Sequence, residues 1–74
     1  MENRTINGYH FEWSESFGMF ECRGSVYYDD EHDEAPEPKL WEAAMKLEKE
    51  LLSDGHPAEA NYSEKGWVEV TIQR

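Results

Sequence analysis

Six consecutive residues have the composition of a metal site, because they place five carboxylates and one imidazole side by side: Asp29, Asp30, Glu31, His32, Asp33 and Glu34. Carboxylate oxygens are the ligands that calcium and magnesium prefer in proteins. A calcium-binding EF-hand loop also requires a central glycine and ligands at fixed offsets, and residues 29–34 have neither. The preferred interpretation of these residues is therefore a solvated acidic loop. A weak divalent-cation site is the alternative hypothesis.

Cys22 and His10 are the residues that could act as a thiol nucleophile and its base. Residue alternation assigns Cys22 to the buried face of its strand and His10 to the exposed face of the preceding strand, so the two side chains are expected to point apart. The chain has no paired Cys or His at zinc-binding spacing, no nucleophile-elbow motif and no phosphate-binding glycine loop. We expect an inert buried thiol, no cofactor, no metal centre and no enzymatic activity.

The negative charge of the chain is concentrated in one region. Nine acidic residues and one base lie between Glu12 and Glu37, in a chain whose formal net charge is −10. Such a region is either a solvated surface that keeps the protein soluble or a surface that attracts a basic protein. Direct binding to nucleic acid or to an anionic membrane is not expected, since both depend on Lys and Arg patches.

Alternating apolar residues predict two strands in the first half of the chain. Residues 5–14 are predicted as one strand with Tyr9, Phe11 and Trp13 facing inward, and residues 19–28 as a second strand in which Gly24 marks a bulge or bend. Residues 15–18 connect them as a hairpin. Residues 29–38 are acidic and contain two prolines, so they are predicted to form a solvated connection without a regular strand ladder.

The second half predicts a helix and another hairpin. Leucines at positions 40, 47 and 51 and Ala44 give the helical period over residues 38–53, which begin with a proline and are followed by Gly55. Residues 58–62 and 67–73 alternate as strands. The order β-β-α-β-β predicts a single α+β two-layer domain over residues 1–74, with a four-stranded antiparallel sheet and one helix packed on one face.

The sheet face opposite the helix is predicted to carry carboxylates together with aromatic side chains. Alternation assigns to it His10, Glu12, Met19, Glu21, Arg23, Tyr27, Trp67, Glu69 and Thr71. Trp and Tyr are common anchors of protein interfaces, although a small domain also has too little interior to bury every aromatic. An edge strand of the second hairpin offers another kind of contact, pairing with a second copy to form a structural homodimer.

Targeting signals are not evident in the sequence. The first residues lack the basic and apolar regions of a signal peptide, no apolar run reaches the length of a membrane span, and the single cysteine cannot form an internal disulfide. The cytoplasm is therefore the expected location. In size and charge the chain resembles the DNA mimics and the nuclease or repressor inhibitors of phages and other mobile elements, a resemblance that assigns no residue.

The leading hypothesis is a small, acidic, non-catalytic protein-binding module, of the kind that regulates or inhibits a basic, nucleic-acid-binding protein. The alternatives are the divalent-cation domain and the homodimeric subunit. The residues predicted to contact the partner are Glu12, Glu15, Glu21, Tyr27, Asp29, Asp30, Glu31, Asp33, Glu34 and Trp67.

Overall fold

The computed structural model describes residues 1–23, 26–29, 32–36, 38–62 and 67–73. For 26–29 and 32–36 the description covers the backbone alone. Within these ranges the elements are β1 (Arg4–Ile6), β2 (Tyr9–Ser14), β3 (Met19–Cys22), β4 (Val26–Asp29), β5 (His32–Pro36), α1 (Pro38–Ser53), β6 (Ala58–Tyr62) and β7 (Val68–Ile72). The predicted α+β class is confirmed, with one helix on one face of an antiparallel sheet.

The main sheet has five strands in the order β1-β2-β3-β7-β6, not the four that were predicted. The extra strand arises because Asn7 and Gly8 turn the chain inside the segment that was predicted as one strand. Both residues have positive φ, 52° at Asn7 and 86° at Gly8, and Ile6 pairs with Tyr9 across the turn. Positive φ at both central residues is the geometry of the type I′ hairpin turn, which Asn-Gly favours.

The predicted second strand and the predicted acidic connection also differ from the structure. Residues 19–28 contribute to two strands, of which β3 belongs to the main sheet and β4 pairs with β5 in a separate two-stranded sheet. The prediction that residues 29–38 contain no strand is therefore wrong for Asp29, the last residue of β4, and for His32–Pro36. Pro36 lies at the end of β5, where a missing backbone N–H is tolerated. The predicted bulge at Gly24 falls outside the described residues.

The helix begins at Pro38 and ends at Ser53, the bounds that were predicted. Gly55 has φ 86°, and its N–H donates to the Leu52 carbonyl at 3.1 Å, while the His56 N–H donates to the Leu51 carbonyl at 2.8 Å. This pair of bonds is a Schellman motif, which ends a helix with a left-handed glycine. The following Pro57 leads directly into β6.

The core lies between α1 and the sheet. Its buried apolar residues come from both layers: Ile6, Phe11, Phe20, Cys22, Leu40, Ala43, Ala44, Leu47, Leu51, Ala60, Val68 and Val70. Strand β7 pairs with β3 on one side and with β6 on the other, and the antiparallel β6–β7 pair confirms the predicted second hairpin. Alternation then assigns the residues between these core positions to the opposite side of the sheet.

Candidate partner-binding face

The sheet face opposite α1 is called here the open face. Alternate residues of the five strands form it: Thr5, His10, Glu12, Ser14, Met19, Glu21, Glu59, Asn61, Glu69 and Thr71. Arg23, directly after β3, and Trp67, directly before β7, complete it. None of these side chains is buried; each is exposed or half-buried. The members that were predicted for this face from alternation and are described are therefore on it. Tyr27, which was also predicted there, belongs to β4, for which only the backbone is described.

Three glutamates form a row across the open face. Glu12 on β2 lies opposite Glu21 on β3, and Glu21 lies opposite Glu69 on β7. Asn61 on β6 continues the row without charge. Directly opposite residues in an antiparallel pair have Cβ atoms about 4.5–5.5 Å apart, a spacing at which like charges repel. The row therefore concentrates negative potential at the middle of the sheet.

Arg23 and Trp67 lie beside this row. The Arg23 guanidinium carbon is 4.1 Å from the centroid of the Trp67 ring, which is the geometry of a cation–π contact. Among the described residues of the open face, Arg23 is the one Lys or Arg. Its charge is held against the indole, which presents a large planar surface next to the carboxylates.

His10 lies on the opposite face of the sheet from Cys22, as alternation predicts. The His10 Nδ1 atom is 2.9 Å from the Thr5 hydroxyl, across the first hairpin. Cys22 is a buried free cysteine. Burial raises the pKa of the Cys22 thiol, and the Glu12 carboxylate raises that pKa further. A thiol in this environment is a weak nucleophile. Because Cys22 and His10 lie on opposite faces of the sheet, they also do not form a nucleophile–base pair.

A cavity of about 460 Å³ lies at the end of the glutamate row nearest the first turn, lined by Gly8, Tyr9, His10, Glu12, Glu21, Cys22 and Arg23. Its lining combines both carboxylates of the first pair with the guanidinium and the imidazole. Groups of this kind can donate and accept hydrogen bonds from a polar side chain of a partner. The cavity and the row are parts of the same surface.

The predicted partner-binding residues divide into three sets. Glu12, Glu21 and Trp67 lie on the open face. Glu15 lies in the turn after β2, 81% exposed, with one carboxylate oxygen 3.5 Å from the N-terminal amino group. The remaining predicted residues lie in the second sheet, with backbone positions alone (Tyr27, Asp29, Asp33, Glu34), or outside the described residues (Asp30, Glu31).

Two glutamates on this surface were not among the predicted site residues. Glu69 completes the row, and Glu59 on β6 accepts a hydrogen bond from the Gln73 amide at 3.3 Å. The alternation of Val68, Val70 and Ile72 already indicated that Glu69 faces away from the core. Its position opposite Glu21 depends on β7 lying next to β3, which no local pattern specifies.

Metal binding and membrane crossing find no support in the described part of the chain. No three His, Cys, Asp or Glu side chains there are grouped so that they could hold a metal ion. The side chains of residues 29–34 are not described, so the divalent-cation hypothesis stays a prediction.

Helix α1, with 16 residues and a polar outer face, is neither long enough nor apolar enough to cross a membrane.

Comparison with known proteins identifies no relative. No family model matches the sequence, and neither the curated proteins nor the solved structures searched contain a significant match. The geometry of the open face and the charge of the chain are therefore the features that bear on function.

Proposed function

We propose that this protein is a non-catalytic protein-binding module whose open face binds a basic partner, and that the partner is a nucleic-acid-binding protein. The module would act as a small regulator or inhibitor of the kind that phages and other mobile elements encode. The proposed contact residues are the predicted acidic residues together with Tyr27 and Trp67, and we include Glu69 because it lies in the same row.

The observation that carries the proposal is the register of Glu12, Glu21 and Glu69. Like charges directly opposite each other on neighbouring strands destabilise a sheet by about 0.2–1 kcal/mol per pair. The fold gains nothing from two such pairs in succession. A partner that brings Lys or Arg to this face turns the repulsion into attraction, and it also gains association rate through electrostatic steering.

Trp67 supports the same interpretation. Interface hot spots are enriched in Trp, Tyr and Arg, and they are commonly surrounded by polar residues that exclude water once the partner is bound. The Arg23–Trp67 stack supplies an aromatic surface of this type next to the glutamate row. A surface so negative repels the phosphates of nucleic acid, which favours a protein partner with a phosphate-binding groove.

The test compares two variants that remove the same charge from opposite sides of the domain. The open-face variant carries Glu12→Gln, Glu21→Gln and Glu69→Gln. The helix-side control carries Glu42→Gln, Glu50→Gln and Asp54→Asn, at three exposed positions on or just after α1. Asp54 makes an exposed ion pair with Arg4 at 3.5 Å, and such pairs contribute little stability.

Each protein is immobilised and incubated with lysate of the source organism, then eluted first with duplex DNA and afterwards with high salt. We expect the wild type and the helix-side control to capture one nucleic-acid-binding protein that DNA releases, and the open-face variant to lose it. Equal capture by the wild type and both variants would refute the proposal for this face. Partners released by salt alone would indicate a general charge contact.

A further inference from the structure

Strand β6 forms one edge of the five-stranded sheet. The Gln73 N–H donates to the Pro57 carbonyl at 2.7 Å, which sets the alternation of hydrogen bonds along the β6–β7 pair. By this alternation, the backbone groups of residues 59 and 61 form hydrogen bonds with β7. The backbone N–H and C=O groups of Ala58, Ala60 and Tyr62 point the other way, sideways from the edge of the sheet. An edge with outward N–H and C=O groups is a template for pairing with another strand.

The outward N–H at the middle of this edge is occupied by a side chain. The Ala60 N–H donates to the Glu48 carboxylate at 2.8 Å, in a partly buried hydrogen bond. Glu48 lies on α1 directly after the buried Leu47, so the helix holds its carboxylate against the strand from the core side. A charged acceptor makes a stronger hydrogen bond than the neutral carbonyl of a pairing strand would make.

We propose that Glu48 closes the β6 edge to strand pairing, and that the partner it excludes is the β6 edge of a second copy of this chain. The carboxylate oxygen lies where the carbonyl oxygen of an incoming strand would have to accept the Ala60 N–H. Natural sheets commonly protect their edges by such local devices, because an open edge invites association.

The sequence of β6 explains why the excluded strand is a second copy. In an antiparallel pair related by a two-fold axis at Ala60, each Ala60 N–H would donate to the other Ala60 carbonyl. The same register places Glu59 opposite Asn61, and Ala58 opposite Tyr62. No like charges would face each other across the new pair, and a methyl group lies at its centre. The edge is thus self-complementary except for Glu48.

Sedimentation velocity of four proteins over a wide concentration range tests this proposal. They are the wild type, Glu48→Ala, Glu48→Gln and Glu50→Ala, each checked by far-UV circular dichroism. Gln keeps an oxygen that can accept the Ala60 N–H, and Glu50 is an exposed glutamate on the same helix that serves as the charge-matched control. We expect Glu48→Ala to double in mass at high concentration and the other three to remain monomeric.

Three results would overturn the proposal: a wild type that is already dimeric, a folded Glu48→Ala variant that stays monomeric, or a Glu50→Ala variant that dimerises as readily as Glu48→Ala. Amide hydrogen exchange of the wild type provides a test that needs no substitution. The Ala60 amide should exchange many-fold more slowly than an amide without a partner. Exchange at the unprotected rate would show that the Glu48 carboxylate does not bind the Ala60 N–H in solution.

Discussion

Glu21 and Glu69 lie directly opposite each other on β3 and β7, on the face of the sheet that the helix does not cover. Glu12 lies opposite Glu21 on the other side, so Glu21 has a carboxylate neighbour on both adjacent strands. If the proposed function is correct, this central position makes Glu21 the residue at which stability and partner binding are most directly opposed. Functional surfaces commonly retain residues that stability alone would not select.

The first prediction is that Glu21→Gln stabilises the protein. Removing the central charge relieves two repulsive pairs, each of about 0.2–1 kcal/mol, so the free energy of unfolding in urea should rise. The gain should be largest at low ionic strength, since salt screens exposed charges. Glu42→Gln, an exposed change on α1, is the control and should have little effect. A destabilised Glu21→Gln variant would show that the glutamate row does not repel itself.

The second prediction concerns the turn that divides the predicted first strand. Gly8 has φ 86° and no heavy atom within 4 Å of the position a Cβ would occupy, so the cost of Gly8→Ala comes from the backbone alone. A residue with a Cβ loses about 1–2 kcal/mol in a left-handed conformation. We expect a loss of this size by urea denaturation.

Asn7→Asp is the matched control for this turn. Asp tolerates positive φ and keeps a carboxyl oxygen where the Asn7 Oδ1 atom accepts from the Lys46 ammonium at 3.3 Å. Its stability should stay close to that of the wild type. If Gly8→Ala also left the free energy of unfolding unchanged, the positive φ of Gly8 would not be required for the turn between β1 and β2.

The helix was predictable because several independent local signals agree at both ends. Pro38 suits the first helical position, the leucine spacing has the helical period, and Gly55 followed by a proline two residues later marks the stop. Each of these signals acts within a few residues of the chain. The structure places the helix at the predicted bounds because no distant contact is needed to decide them.

The first strand was mispredicted although the sequence contains the signal that divides it. Ile6 faces the core from an even position, whereas Phe11 faces it from an odd one, so the apolar alternation changes phase between them. A two-residue turn produces this change, because Ile6 and Tyr9 become cross-strand partners. Asn-Gly at the point of the phase change is the signal that the strand interpretation overlooked.

The sequence predicts which residues lie on the open face, but it does not predict which of them lie opposite each other on neighbouring strands. Alternation alone assigned Glu12, Glu21 and Glu69 to one side of their strands. Their alignment depends on β3 pairing with β7, strands that are separated along the chain by β4, β5, α1 and β6. Contacts of this range follow from the assembled core, and a sequence pattern with a period of two residues carries no information about them.

The third prediction is a measurable coupling between Arg23 and Trp67. A guanidinium 4.1 Å from the ring centroid at an exposed site should contribute about 0.5–1 kcal/mol. A double-mutant cycle of Arg23→Ala and Trp67→Leu isolates this term from the other contacts of each residue. Arg23→Lys should retain part of the coupling. A coupling energy indistinguishable from zero would show that the two side chains do not interact in solution.

The fourth prediction concerns the reactivity of Cys22. The side chain is 5% exposed, and its burial raises the pKa of the thiol. Since the thiolate is the reactive species, a disulfide reagent should modify Cys22 slowly in the native protein at pH 8 and rapidly in urea. Rapid modification of the native protein would contradict the burial of this residue.

The raised pKa of Cys22 also predicts a pH dependence of stability. In the unfolded chain the thiol ionises near its ordinary pKa of about 9.0, whereas the folded chain keeps the proton to a higher pH. The unfolded state then binds fewer protons than the native state, so the free energy of unfolding falls as the pH rises above that value. Cys22→Ala lacks the thiol and provides the comparison, because the two proteins share every other titrating group. The wild type should lose stability more steeply than Cys22→Ala between about pH 9 and 10, and parallel curves from urea denaturation would contradict the assignment.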